Sequence, residues 1–420
     1  MKRIIASAGL FAAGASGLYA AYAPGLTPME TSKPWSIAAT VRGFYDDNFA
    51  SAPSSFTGKK DSFGLEFSPS VAINLPLEQT YLGASYVYTL RYFEGRPNHN
   101  FDHTHELTAK ADHKFSERYR VDLNDAFAYS QEPEVLQPTG VAQSVFVRTD
   151  ASAIRNRARI NFHAQVTDLL AVNPGYENTW YNFLDSTAET GIPSRSALLD
   201  RVEHLLHIDG QYQVKEHLVG LVGYQFGLFD YTSTEPIYAD GTPGDIRDSR
   251  SHYFYVGANY AASSQLNGYA KVGVQYTTYD SLPGSNLAPY FDFNGTYTYL
   301  PGSYVQLGVR HTRNATDIAG ASRADIVKDQ ESTLVYASVN HRITRELTAS
   351  LLGQYQHGTY SGGSLDGFVD HFLLLGINVE YRLNQNWAVD AGYNFDRLDS
   401  DIDGRSFTRN RIYVGASATY

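Results

Sequence analysis

The sequence predicts an all-β protein, a closed antiparallel barrel of about eighteen strands that crosses a membrane. Three observations predict it. Segments of about 12 to 14 residues alternate apolar and polar side chains along most of the chain, which is the period of a strand with one apolar face. Very short polar turns alternate with long polar loops. After the N-terminus, the longest apolar run is about eight residues, far short of the roughly twenty that a helical span needs.

The last ten residues, 411–420, show the alternation most clearly. One face carries Ile412, Val414, Ala416, Ala418 and Tyr420. A strand that ends the chain on an exposed aromatic ring would be an edge hazard in water. The pattern favours a strand that closes the barrel against the first strand, with Tyr420 at a lipid headgroup boundary. An ordinary terminal strand of a soluble sandwich is the alternative.

This ending resembles the C-terminal strand of Gram-negative outer-membrane β-barrels. In that family the terminal aromatic residue is the signal that the assembly machinery reads. The resemblance therefore implies that Tyr420 is an assembly signal and that the barrel assembly machinery is a partner.

The N-terminus indicates export. Lys2 and Arg3 precede an apolar run rich in small residues, which is the pattern of a secretory signal peptide. We expect residues 1–23 to be the signal peptide, residues 24–34 a short periplasmic lead-in and residues 35–420 the barrel. The chain of 420 residues contains no cysteine, which excludes a lipoprotein anchor and disulfides. Its formal charge of -11 makes nucleic acid an unsuitable partner.

Tight polar turns recur at intervals of roughly 40 to 50 residues, as expected for repeated hairpins. They lie at 116–118, 167–168, 215–216, 263–265, 301–302, 344–346 and 384–386. Propeller blades share the period but have four short strands per repeat. Short turns at one end and long loops at the other are typical of outer-membrane barrels, in which the short turns are periplasmic.

Two stretches weaken the strand prediction. Pro69 deletes one ladder donor, so a bulge or a local break is expected there. The segment from Asn173 to Leu184 contains Pro174 and alternates poorly. One hairpin fewer or more would give sixteen or twenty strands.

The whole mature chain resembles the β-barrel porin families of Gram-negative bacteria, those of the Verrucomicrobia in particular. The resemblance is carried by hairpins that open on Leu, Gly and Tyr, such as LVGLVGYQFGLFDY from Leu218. It implies a passive water-filled pore for small polar solutes or ions, embedded in outer-membrane lipid and lipopolysaccharide, with association as a homotrimer left open. An enzyme acting at the barrel rim, or a receptor, adhesin or structural barrel working through its loops, are the alternatives.

Charged residues on the polar, inward face are the candidates for lining the pore. Arg155, Arg157 and Arg159 share one face of a strand and stand about 7 Å apart. The acidic candidates on other inward faces are Glu66, Glu106, Asp122, Glu203 and Asp209. An arginine ladder opposite acidic groups would create a transverse field that orients polar or anionic solutes. The alternative is a set of ion pairs that stiffen the wall. A loop at Gln131 to Asp150 is the candidate constriction.

Aromatic residues at the predicted periplasmic ends of strands are candidates for the interface girdle. They are Trp35, Trp387, Tyr119, Tyr299 and Tyr420.

No catalytic, cofactor or metal site is predicted. His103 and His105 share one face of a strand while Glu106 points the other way, so the three cannot converge on a metal ion without a bend. The sequence contains neither a HExxH motif nor a GxSxG motif, which metalloproteases and serine hydrolases carry. Asp125 falls on the apolar face by strict alternation, and a bulge is expected to turn it inward.

Overall fold

The computed structural model describes residues 34–53, 57, 58, 60–96, 99–130, 152–184, 193–261, 263 and 265–420. Eighteen antiparallel strands form one sheet in these residues. In chain order they are β1 (Trp35–Asp46), β2 (Ser62–Pro76), β3 (Thr80–Phe93), β4 (Phe101–Lys114), β5 (Tyr119–Ser130), β6 (Ala153–Gln165), β7 (Leu170–Phe183), β8 (Arg201–Lys215), β9 (Leu218–Tyr231), β10 (Ser249–Ala261), β11 (Leu266–Tyr279), β12 (Ser285–Leu300), β13 (Ser303–Asn314), β14 (Asp329–Arg342), β15 (Leu347–Ser361), β16 (Val369–Arg382), β17 (Trp387–Ser400) and β18 (Phe407–Thr419).

The sheet closes on itself. Each strand pairs with its neighbours in sequence, and β1 also pairs with β18, from Ala38 opposite Thr419 to Asp46 opposite Arg411. The chain end continues this ladder, because the Tyr420 N–H donates to the Ile37 carbonyl at 2.8 Å. A closed ladder has no edge with unpaired backbone groups. The predicted eighteen-stranded barrel is therefore confirmed.

The two ends of the barrel differ as predicted. Two to four residues join the strands at one end; in the 301–302 turn, Gly302 takes a φ of +80°, a conformation that favours glycine. Long loops join the strands at the other end. One of them carries the short helix α1 (Arg195–Leu199), and others contain 3-10 turns at Gly244–Arg247, Arg323–Asp325 and Gly363–Leu365. Among the described residues, no helix is long and apolar enough to span a membrane. The loop segment Gln131 to Asp150 lies outside the described residues.

The two faces of the sheet are inverted relative to a soluble protein. On β18, Ile412 is 58% exposed and Val414 is 63% exposed, whereas Arg411, on the opposite face of the same strand, is 4% exposed. The polar face is the concave one, because its side chains meet across intervening strands. The Arg42 guanidinium of β1, for example, donates to Asp390 of β17 at 2.8 Å over β18. The apolar, exposed face is therefore the outer wall.

Proline changes the ladder without changing the strand count. The pairs between β2 and β3 skip Ser68 and Pro69 but keep the same register on both sides. The pairs between β6 and β7 are likewise interrupted at Pro174. The predicted local break at Pro69 is present, and the alternative of a bulge is not. The poorly alternating segment from Asn173 is nevertheless a strand, because it lies in β7, which runs from Leu170 to Phe183.

The prediction of a bulge at Asp125 is wrong. The register of β5 is continuous with both β4 and β6, so Asp125 stays on the outer face. Its Oδ1 accepts a hydrogen bond from the Asn156 side chain at 3.0 Å on the neighbouring strand. A hydrogen-bonded partner reduces the cost of placing a polar group on an apolar face, and it replaces the bulge that alternation alone seemed to require.

Buried ion pairs reinforce the seam between β1 and β18. Asp46 is fully buried, and its carboxylate accepts from the Arg409 Nη2 at 2.6 Å and the Arg411 Nη2 at 2.8 Å. Both arginines belong to β18. The carboxylate thus ties the first strand to the last at their loop ends.

Removing this carboxylate should weaken the closed barrel. We expect Asp46→Ala to lower the free energy of unfolding by about 3 to 5 kcal/mol, because it removes the buried carboxylate that two buried guanidinium groups share. Urea unfolding in lipid vesicles, followed by tryptophan fluorescence, measures it. Asp399→Ala is the control, because Asp399 and its partner Arg397 are 61% and 56% exposed, and we expect a change below about 1 kcal/mol. Equal losses in the two variants would contradict the role of Asp46.

Candidate functional site

The arginine ladder lies on the inward face of β6 and has its counter-ion on the adjacent strand. Arg157 Nη2 is 2.6 Å from Glu177 Oε1, and Arg159 Nη2 is 2.6 Å from Glu177 Oε2. Glu177 belongs to β7 and stands opposite Arg159 in the ladder. One carboxylate thus bridges two guanidinium groups and holds them in register along the wall.

Small residues on β5 make room beside the ladder. Ala128 lies opposite both Glu106 of β4 and Arg155 of β6. Because alanine is short, the Glu106 carboxylate and the Arg155 guanidinium face each other across it, and these two groups interact electrostatically. Ala126 occupies the same position opposite Arg157. Glu106 and Arg155 therefore lie at the same height along the inner wall.

Glu66 is bonded to arginines of its own neighbourhood. Its carboxylate oxygens lie 3.2 Å from Arg42 Nη1 and 2.7 Å from Arg91 Nε. Arg42 also contacts Asp390. Two arginines and two carboxylates thus form one network across β17, β1, β2 and β3.

Asp209 bridges three strands. It accepts from the Tyr255 hydroxyl at 2.6 Å and lies 3.3 Å from Lys271 Nζ. These partners come from β10 and β11, while Asp209 belongs to β8. The network is therefore possible only on the concave face.

The two remaining acidic candidates have close local partners. Asp122 accepts from the Asn161 side chain at 2.8 Å. Glu203 accepts from Arg201 Nε at 2.7 Å. The predicted acids thus lie on the inward face, but four of the five are bonded to groups other than the ladder.

Sequence reasoning missed Glu177, the residue that holds the ladder. It lies in the stretch around Pro174 that alternates poorly, so its face could not be read with the same ease as that of Glu66. The pattern from Asn173 through Gly175 and Glu177 to Thr179 does carry the signal. Pairing this run against β6 would have placed Glu177 beside the arginines.

The girdle candidates lie at strand ends beside the short turns. Trp35 and Tyr420 contact each other with ring centroids 5.8 Å apart, and Tyr119 stacks on Phe162. Trp387 is the first residue of β17. Tyr299 sits in a bulge between β12 and β13, with its hydroxyl 2.8 Å from His341 Nδ1. Their contact with an interface stays a prediction.

The histidines of β4 are separated from Glu106 as the alternation predicted. His103 and His105 bond to the hydroxyls of Tyr88 and Tyr86 on the outer face. Within the described part of the chain, no group of three or more His, Cys, Asp or Glu side chains is placed to hold a metal ion.

The long loops pack together into a cluster above the barrel, which we call the loop cluster. Its apolar core joins the loop end of β7, α1, the loop after β9 and the loop after β13, and consists of Tyr181, Phe183, Ala197, Leu198, Leu199, Ile237, Ile246, Ala319 and Ile326. Burial of these side chains stabilises loops that would otherwise be solvated polar segments. The entrance to the barrel is therefore framed by ordered structure.

Two buried arginines fasten the loop cluster. Arg247 donates to the carbonyls of Leu198 and Thr316 and lies over the Tyr231 ring. Arg405 binds both oxygens of Asp317 at 2.8 and 2.9 Å. A bidentate pair of this kind fixes both distance and orientation. The loops after β7, β9, β13 and β17 are thereby connected.

A family model decides what the barrel is. The model described as Putative beta-barrel porin 2 matches residues 38–420, which is nearly the whole barrel. The chain belongs to this porin family. The porin is therefore an integral outer-membrane barrel that forms a passive, water-filled pore, since a barrel of eighteen strands encloses more space than side chains fill. The family is one of channels rather than enzymes.

Solved barrels resemble the porin distantly. The BenF-like porin from Pseudomonas fluorescens Pf-5 is 11% identical, with 92% of this chain and 99% of that chain covered and a TM-score of 0.45. Acinetobacter baumannii OccAB4 is 13% identical, with 94% and 100% covered and a TM-score of 0.44. The siderophore receptor PirA from Pseudomonas aeruginosa is 9% identical, with 94% and 81% covered and a TM-score of 0.43. No functional conclusion rests on these likenesses. No curated protein matches the chain.

Asp248, in the loop before β10, makes the loop cluster of the porin sensitive to pH. Burial raises the pKa of its carboxyl to about 6, and the nearby charges of Asp230, Asp245 and Asp280 add to the effect. The carboxylate also accepts the Tyr231 N–H at 2.8 Å, which opposes the shift. Because the folded pKa lies above the unfolded value of about 3.9, stability rises as pH falls through about 6 and is lost again above it.

We expect the loop cluster to be better protected at pH 5 than at pH 7.5. Asp248→Asn should reduce this difference, because the amide stays neutral and can still accept the Tyr231 N–H; the carboxyl of Asp200, whose pKa burial also raises, keeps the remainder. Hydrogen exchange of loop amides, or the rate of trypsin cleavage in the loops, measures it. Asp403→Asn, in an exposed part of another loop, should keep the difference. Persistence of the full difference in Asp248→Asn would contradict the assignment.

Proposed function

We propose that this porin passes small polar solutes and favours anionic ones along the wall formed by β6 and β7. The inward faces of these two strands carry Arg155, Arg157 and Arg159 against Glu177, and Glu106 of β4 faces Arg155 across Ala128. Three guanidinium groups thus meet two carboxylates. This excess of positive charge is the observation that supports the proposal. The line of guanidinium groups along the strand offers an anion several successive positions of favourable potential.

Two other charged networks on the concave face are balanced in number, whereas Asp46 is shared by Arg409 and Arg411 at the seam between β1 and β18. Arg42 and Arg91 are matched by Glu66 and Asp390. Lys271 is matched by Asp209. Balanced pairs in direct contact have short-range fields, whereas a surplus of one sign acts over about the Debye length of 8 to 10 Å at ordinary salt. The arc of β6 and β7, with three arginines in line, is therefore a part of the wall suited to set selectivity.

We propose the following for the export, insertion and assembly of the chain and for its lack of catalysis. Residues 1–23 act as a signal peptide and residues 24–34 as a periplasmic lead-in. The barrel assembly machinery inserts the chain by reading Tyr420, and lipopolysaccharide surrounds the barrel. The protein has no catalytic activity, and its barrels can associate as homotrimers.

Neutralising the ladder should change ion selectivity. We expect the triple variant Arg155→Ala, Arg157→Ala, Arg159→Ala to shift the reversal potential in asymmetric KCl toward cations, because the wall loses three positive charges and keeps Glu177. Planar bilayers with purified, refolded protein give the reversal potential. Heat-modifiable migration on gels confirms that each variant is folded.

Two controls isolate the lumenal charge. Arg397→Ala removes a positive charge from an exposed outer position and should leave the reversal potential unchanged. Arg157→Lys keeps the charge while replacing the planar guanidinium with an ammonium group, and should keep most of the selectivity. A folded triple variant with the reversal potential of the unmodified protein would reject the ladder's role.

A further inference from the structure

Histidine is concentrated on the outer wall near the loop ends of the strands. Each of these residues lies on the outward-facing side within four positions of a strand end that leads to a long loop: His103, His105, His204, His252, His311, His357 and His371. None of them is buried. Imidazole is a polar group, so an outer wall that elsewhere carries Val, Leu, Ile and Phe has a distinct polar level here.

Most of these histidines are held by a tyrosine in one repeated geometry. The tyrosine hydroxyl and the imidazole Nδ1 lie 2.6 to 2.8 Å apart in the pairs Tyr88 with His103, Tyr86 with His105, Tyr176 with His204, Tyr224 with His252, and Tyr355 with His371. In every pair the tyrosine lies on the strand that rises to the long loop and the histidine on the strand that returns. We call these five pairs the tyrosine–histidine belt.

The same position is polar in two further hairpins. Asp125 of β5 bonds to Asn156 of β6 at 3.0 Å, and Tyr393 of β17 bonds to Asn410 of β18 at 2.6 Å. In both pairs the second residue lies two positions before the residue directly opposite the first, as the histidines of the belt do relative to their tyrosines. The polar level therefore recurs around most of the circumference. A protein partner would contact one arc of the barrel, whereas the membrane contacts all of it.

The opposite rim of the barrel is built differently. Beside the short turns, the described histidines of the outer face are His113 and His341 on the strands, with His217 in a turn, and one tyrosine–histidine pair, Tyr299 with His341, lies there. The conspicuous exposed side chains at this rim are Trp35, Trp387 and Tyr420. If the belt served a general membrane boundary, it would recur at both rims. Five pairs lie at the loop end and one, Tyr299 with His341, lies beside the short turns. This concentration at the loop end favours a chemistry of the outer leaflet.

The belt presents hydrogen-bond donors to that leaflet. When the tyrosine hydroxyl donates to Nδ1, the proton of the neutral imidazole is on Nε2, and Nε2–H points away from the bonded pair. A phosphate oxygen or a sugar hydroxyl can accept from it. Such donors suit an anionic surface, which the chain as a whole, with a formal charge of -11, would otherwise repel.

We propose that the tyrosine–histidine belt binds the phosphorylated sugar headgroups of outer-leaflet glycolipid. The tyrosine fixes the imidazole, and the imidazole donates to headgroup oxygen at the level where the acyl chains end. The proposal rests on the outer-membrane location of the barrel and is independent of the selectivity of its pore.

The test compares lipids with and without this headgroup. Unmodified protein is refolded into phosphatidylcholine vesicles, alone or with added lipid A, and its unfolding temperature is measured by heat-modifiable migration. We expect lipid A to raise that temperature. The variant His103→Phe, His204→Phe, His252→Phe, His371→Phe should lose more than half of the increase while unfolding at a similar temperature in phosphatidylcholine alone. His113→Phe, His341→Phe, the matched change at the opposite rim, should keep it.

Further arms identify the ligand. Inorganic phosphate at the same phosphorus concentration should give no increase, and an equal increase would assign the effect to free phosphate and overturn the proposal. An equal increase with phosphatidylglycerol would show that any anionic lipid suffices, which also overturns it. If the fourfold variant fails to fold, Tyr88→Phe and Tyr224→Phe, which keep every imidazole, should each reduce the lipid A increment. An unreduced increment in both would count against the belt.

Conductance measurements distinguish a failure of the proposed pore function from a failure of the proposed lipid binding. The histidine variants should form channels with unchanged reversal potential, since the substituted side chains lie outside the lumen. Loss of the lipid A effect with normal channels supports the belt, whereas absent channels in the unmodified protein would count against the pore and not against the belt.

Discussion

Closure of the backbone ladder is the constraint on which the rest of this structure depends. A membrane offers no water to unpaired N–H and C=O groups, so a sheet that crosses it must have no edge. The pairing of β1 with β18 meets that condition, and it continues to Tyr420 at the chain end. The apolar outer face and the polar concave face follow, because alternation along each strand then separates lipid from lumen.

Placing charges on the concave face creates a second problem, because wide polar walls still bring like charges close together. The barrel solves it locally. Asp46 holds Arg409 and Arg411, Glu177 holds Arg157 and Arg159, and these acids lie on the adjacent strand in each case. Charges paired this way brace the wall, and only the surplus remains to act on a solute. Bracing of the wall and the proposed selectivity can therefore belong to the same network and are not alternatives.

Features set by one strand could be predicted from the sequence. Alternation gave the strand number, the outer position of His103 and His105 and the inner position of Glu106. It also placed Asp125 outside, and the mistake lay in distrusting that placement: Asn156, which is remote in sequence but adjacent in the barrel, supplies the partner that the strand itself lacks.

Features set by register between strands were out of reach. Glu177 became the partner of the arginines only once β7 was paired with β6, and Pro174 obscured its face. The loop cluster depends on Arg247 and Arg405 reaching carbonyls and a carboxylate on other loops, and such contacts leave no periodic signal in the sequence.

Single-channel recording from purified, refolded protein in a planar bilayer tests the central claim most directly. An open, water-filled barrel predicts steady steps of conductance whose current is proportional to voltage. A bilayer that stays silent after insertion of folded, heat-modifiable protein would contradict the pore, whatever the outer wall of the barrel binds.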